Sequence, residues 1–241
     1  MPVAASPREL WSSCNPDVLA TVLTHLAAGA AERRGAEAAK HMLIEWLALL
    51  AMATSRGGMV DASFSLTGRL AMLPRLAFGL MSSPIVQPAS HGQHPDLAAF
   101  VKELWLSLPP SELVTALYPR LSSWNDADTM AVAQHSLSRA ALAACKDAPL
   151  LLLDTYEQLI IIRRQGSPVG MPFPPPKQSM LRGVVDGIRQ TRRMTPHLIV
   201  LREEENQVET ELERVLIDDV DGGFASLLQH VQQHAVSAVS I

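Results

Sequence analysis

The chain has only two cysteines, Cys14 and Cys145, which lie far apart, and neither belongs to a Cys-x-x-Cys pair. A disulfide scaffold and a zinc ribbon are thereby excluded, and a reducing compartment is expected. Aromatic residues are also scarce, at 5% of 241, although 48% of the residues are apolar. The interior must therefore be filled by Leu, Ala, Val and Met, which favours helices. Positive charge is not in excess: the formal net charge of -4 provides no basic field for a phosphate backbone, so no nucleic-acid partner is expected. The greasiest segment, Met42 to Thr54, contains Glu45, lies between His41 and Arg56, and is shorter than the ~20 residues of a membrane span. Residues 1–16 set Arg8 against Glu9 and contain no apolar stretch resembling a signal-peptide core, so the expected location is cytoplasmic. Gly-x-x-x-x-Gly-Lys, Gly-x-Gly-x-x-Gly and Gly-x-Ser-x-Gly are all missing, which removes support for nucleotide cradles and nucleophile elbows.

What is present is helical spacing followed by a change of pattern. Val18, Leu19, Val22, Leu23 and Leu26 recur at three and four residues, as do Met42, Leu43, Trp46, Leu47 and Leu50, so two helices are predicted over these stretches. A third stripe, Leu66 to Leu80, is broken by Pro74, which predicts a kink or two short helices. Pro95 suits a first helical position, and the stripe from Leu97 to Leu108 ends at Pro109 and Pro110; Ser111 is placed to cap a short helix ending near Pro119. Near Ala148 short β-rich runs begin. Residues 149–154 and 156–163 read as two strands, Leu181 to Ile188 as an amphipathic helix, 197–202 as a third strand, Val215 to Ile217 as a fourth, and Phe224 to Val239 as a last helix. The expected architecture is α+β and mostly helical: an N-terminal extension at 1–16, a helical domain at 17–147, and a small α/β sandwich at 148–241.

The candidate sites are few. His91 and His94, and His230 and His234, stand at spacings that could grip a metal, but neither pair has an evident third ligand and Val231 replaces the Glu of His-Glu-x-x-His, so solvated faces and no metal are expected. No other cofactor is expected. Phe173 is followed by Pro174, Pro175 and Pro176, a run that suits a stiff linker and, less often, a polyproline ligand. Arg163, Arg164, Lys177, Arg182, Arg189, Arg192 and Arg193 form a basic run, directly followed by the carboxylates from Glu203 to Asp221. The two runs either face each other or leave a binding surface. On the second reading Leu181, Val184, Val185 and Ile188 are the buried stripe of one helix, and Arg182, Arg189 and Arg193 point outward to an acidic partner.

Several segments, in order, resemble one family. Leu-Pro-Arg-Leu-Ala-Phe-Gly-Leu-Met-Ser-Ser-Pro (73–84), Leu-Tyr-Pro-Arg-Leu (117–121) and Leu-Leu-Leu-Asp-Thr-Tyr-Glu-Gln-Leu-Ile-Ile (151–161) are similar to the helical domain and first gelsolin-like strands of the COPII inner coat. Residues 154–159 look more like the GTPase-activating subunit; Asp186-Gly-Ile-Arg-Gln-Thr-Arg-Arg193, Leu216-Ile-Asp-Asp219 and Gly222-Gly-Phe look more like the cargo adaptor. The resemblance implies a helical domain followed by a gelsolin-like domain, a scaffold in transport from the endoplasmic reticulum, and coat subunits and a small coat GTPase as partners. The family's zinc finger has no counterpart among these cysteines. In the GTPase-activating subunit an arginine enters the GTPase site, where its charge steadies the transferring phosphoryl group. The segment Asn206-Gln-Val-Glu209 falls at that place here, Glu209 has the opposite charge, and Arg214 matches no motif, so no catalytic residue is assigned. Other readings are a fixed subunit of another large assembly, such as a cytoskeletal one, an actin-binding gelsolin-like protein, or a catalytic GTPase activator.

Overall fold

The computed structural model describes residues 13–54, 66, 68–87, 95–204 and 206–239. In chain order the elements are α1 (Pro16–Arg34), α2 (Ala36–Thr54), a 3-10 turn (Gly68–Met72), α3 (Leu73–Met81), α4 (Pro95–Leu106), α5 (Pro110–Leu117), β1 (Arg120–Trp124), β2 (Ala133–His135) and α6 (Arg139–Ala144). There follow β3 (Leu150–Asp154), β4 (Gln158–Arg163), α7 (Met180–Thr191), β5 (His197–Arg202), α8 (Asn206–Val215), a second 3-10 turn (Ile217–Gly222) and α9 (Gly223–Val239). They form two compact units, Met1–Leu117 with Gly222–Ile241, and Tyr118–Asp221.

The helical unit follows from its caps and its alanines. The Asn15 side chain accepts from the Asp17 amide at 2.9 Å and Pro16 occupies the first turn, where its missing N–H would have had no partner anyway. Gly35, at φ 88, then turns the chain from α1 into α2, a left-handed conformation that side chains resist. Ala20, Ala27 and Ala30 of α1 and Ala39, Ala48 and Ala51 of α2 are buried, so the two helices, which pack on each other, can approach closely. The break expected at Pro74 is present: the 3-10 turn ends at Met72 and α3 begins with Pro74 in its first turn. Ser111 does not cap α5, because Pro110 already belongs to the helix and the Pro109 carbonyl takes the Glu112 and Leu113 amides at 3.0 Å. The last helix, α9, packs on α2 and α3, and its buried Leu227, Val231 and Ala235 recur every four residues.

The sheet unit holds five strands in the order β2-β1-β3-β4-β5, antiparallel except for the β4–β5 pair. Its central strands, β3 and β4, are buried on both faces, which is why they read as continuous apolar runs and not as alternating ones. Helix α7 lies on the face formed by Trp124, Leu150, Leu152, Leu159 and Ile161, with Leu181 and Val185 in the same cluster.

Two expectations differ from this arrangement. Ala148 lies inside the sheet unit, because β1 and β2, too short and polar to signal themselves, precede it; β1 supplies the pairing partner of β3. The strand expected at Val215 to Ile217 is instead the end of α8 and the start of a 3-10 turn. Val208, Leu212, Val215 and Leu216 repeat at helical spacing, and Val208, Val215 and Leu216 are buried, so the helical period prevails over the short apolar run.

Candidate functional site

The turn between β3 and β4 is held by a buried ion pair. Asp154 is buried, and its Oδ1 and Oδ2 accept from Nη1 and Nη2 of Arg192 at 2.7 and 2.5 Å. Oδ1 also accepts from the Tyr156 amide at 3.0 Å, and Arg192 Nη1 reaches the Tyr156 carbonyl at 3.1 Å. Tyr156, fully buried, sits at φ 72, a strained conformation for a bulky residue, with the Arg192 guanidinium 5.1 Å from its ring centroid. The bidentate pair thus ties the end of α7 to the β3–β4 turn and holds the strained residue in place. Asp-Thr-Tyr-Glu-Gln, which carried part of the family resemblance, is therefore a structural device.

The basic run is not the outward row that the spacing predicted. Arg182 and Arg189 are half-buried, Arg189 Nε donates to the Pro196 carbonyl at 3.2 Å, and of the three only Arg193 is exposed. Val184, expected inside, is 40% exposed. The basic and acidic runs meet through Arg164 and Glu203, at 2.7 Å, while Arg192 turns to Asp154 and Arg139 takes Glu213. The proline segment is docked on its own unit: Pro175 is buried, Pro176 half-buried and Pro174 exposed. Phe173 packs against the α7 cluster, with Arg163 and Arg202, side by side at the ends of β4 and β5, at 6.0 and 5.9 Å from its ring. The Pro176 carbonyl accepts from Ser179, whose hydroxyl caps α7, so the prolines lead into that helix.

Between α7 and the β1–β2 hairpin lies a cleft of about 270 Å³. Its floor is Ser122, Trp124 and Leu152, and one wall is the α7 stripe Met180, Val184 and Ile188; Met130 stands on the opposite side, and Arg120 and Asp154 lie at the end. Met130 is 77% exposed and Met180 46%, so the apolar walls face solvent. Sequence reasoning missed this cleft, because β1 and β2 gave no strand signal and the two walls are 50 residues apart in the chain.

The candidate residues lie apart in the structure. Glu209 is exposed on α8, and Arg214, on the same helix, pairs with Glu211 at 3.2 Å. Burial pushes the Cys145 thiol up, against the pull of the Arg164 guanidinium, away from the thiolate that nucleophilic chemistry needs. His230 and His234 are exposed on α9, and the His234 ring meets His41 edge-on at 5.2 Å; His91 and His94 lie outside the described residues. Among the described residues no three His, Cys, Asp or Glu side chains are grouped to hold a metal, and no helix is long and apolar enough to cross a membrane.

No family model matches the chain. Over 240 residues it is 33% identical to protein transport protein SEC23 D of Arabidopsis thaliana, an alignment that takes in 92% of this chain and 32% of that one. The chain thus spans about a third of the length of the curated relative it matches. Among solved structures it matches the human COPII-coat protein Sec24c with a TM-score of 0.74 at 19% identity, over 98% of this chain and 33% of the other. That likeness extends the fold across both units.

Proposed function

We propose that this chain, which resembles the C-terminal helical and gelsolin-like part of a COPII inner-coat subunit, serves vesicle-coat transport as an interaction module that acts by binding and not by catalysis. The observation that carries the reading is a similarity spanning 92% of the chain, helical unit and sheet unit together, and so greater than a shared gelsolin-like domain would give. It also favours a coat module over an isolated actin-binding domain. Against catalysis stands the charge of the segment 206–209, where Glu209 occupies the place that the resemblance gives to a phosphoryl-steadying arginine, while Arg214 is engaged by Glu211. The partners are other coat subunits and the small coat GTPase, through which the chain associates peripherally with endoplasmic-reticulum membranes and transport vesicles. Flotation with liposomes tests this. The chain should float with membranes bearing the GTP-loaded coat GTPase and inner-coat subunits and stay in solution with bare liposomes; failure to float with the coat present would contradict the reading.

A further inference from the structure

We infer that the cleft between α7 and the β1–β2 hairpin is a docking site for a short partner segment that carries apolar side chains next to an Asp or Glu. The proposal rests on the coat reading in one respect only, that the chain works by binding proteins. Two observations carry it. The first is the exposed apolar lining: Met130 at 77%, Met180 at 46% and Val184 at 40% are not scattered but border one cleft, with Trp124 as its floor. Exposed apolar side chains gathered around a concavity mark a contact site, and methionine adapts its shape to what it meets. Met180, Val184 and Ile188 extend along about 12 Å of helix, room for two apolar side chains of an incoming segment.

The second observation is charge. At the end of the cleft Asp154 and Arg120 are cross-strand partners, but Asp154 is already held bidentately by Arg192. The Arg120 side chain is exposed and makes no hydrogen bond or ion pair among the described residues. Arg192 thus neutralises Asp154 from outside the cleft lining, and the uncompensated Arg120 guanidinium can take a carboxylate in fork geometry. An acidic residue beside apolar anchors satisfies both features, whereas a basic segment would meet Arg120 with like charge.

The test is selection of short random peptides displayed on phage against the whole chain and against its Arg120→Glu and Val184→Asp variants. Both substitutions are at exposed positions, and thermal unfolding of each variant checks that it remains folded. The expected result is enrichment of peptides with apolar pairs next to Asp or Glu, binding at least about tenfold weaker to either variant, and a shift toward Lys- or Arg-bearing peptides on Arg120→Glu. Three results would overturn the inference: no enrichment on the native chain, enriched peptides without acidic residues, or acidic peptides that bind all three proteins alike. A failed selection with intact flotation on coated liposomes removes the cleft but not the coat reading. Peptide binding at the cleft without flotation does the reverse.

Discussion

In the helical unit the largest buried side chains are leucines, among them Leu23, Leu43, Leu47 and Leu73, and the buried hydroxyls of Thr24 and Ser83 bond back to the Ala20 and Leu80 carbonyls of their own segments. The sheet unit has an equally apolar centre, Leu150–Leu153 and Leu159–Ile162, but adds long-range polar pins. Arg192 holds Asp154, and the Tyr118 hydroxyl donates to Asp218 Oδ2 at 2.9 Å while accepting the Leu137 amide at 3.0 Å. Such pins join residues 38, 100 and 19 positions apart. Helices satisfy their own backbone and need only a matching face, whereas the irregular connections of a sheet must place their polar groups against specific partners. Removing a buried polar side chain should accordingly cost less in the helical unit than in the sheet unit.

The sharpest way to break this contrast is Arg192→Ala, which leaves Asp154 buried without its cation. The expected loss is about 3–5 kcal/mol in denaturant unfolding, because removing one partner of a buried pair strands the other charge. Hydrogen exchange should locate that loss at β3, β4 and α7. In the helical unit the counterpart is Leu47→Ala. It should cost about 3 kcal/mol by leaving a cavity between packed helices, and the same unfolding experiment measures it.

Much of this contrast was legible in the sequence on the helical side and little of it on the other. Apolar spacing located α1 to α4, and Pro74 located the break, but the buried faces differ from the expected stripes: Val18, Val22, Leu26, Trp46, Leu97 and Phe100 are exposed, and α1 buries mainly alanines. The run that became β3 was visible as a continuous apolar stretch, and those that became β4 and β5 from their β-branched content. β1 and β2 were not, since Arg120-Leu-Ser-Ser-Trp124 owes its place to pairing with β3 and not to its own propensity. For the candidate site the failure has the same origin. Arg192 looks like its neighbours Arg189 and Arg193 in the sequence, and only the fold brings it to Asp154; Val184 fits the helical stripe but α7 covers only part of the sheet, so it borders an open cleft.

Two smaller effects are expected in the helical unit. Asn15→Ala removes the side-chain acceptor at the start of α1 and should lower stability by about 1 kcal/mol, read from the shift in the denaturation midpoint. The smallest effect concerns Glu32 of α1, which pairs with Lys102 of α4; the hydrogen bond and charge of Lys102 hold its carboxyl below the usual value of 4.5. A depressed carboxylate stabilises the fold above its unfolded pKa and loses that contribution as pH falls through the folded one. The stability difference between the native chain and Glu32→Gln should therefore be constant above pH 4.5 and shrink below it. A difference that grows on acidification would show that the pair does not act this way.

The central claim, that the chain joins a coat by binding and adds no catalysis, is tested most directly by the rate of GTP hydrolysis on liposomes that carry the small coat GTPase, with the chain titrated to saturation of the membrane-bound complex. The chain should bind, and the hydrolysis rate should stay at the value of the GTPase alone. A rate that climbs with bound chain and saturates with it would instead assign a phosphoryl-steadying role to a residue of the chain.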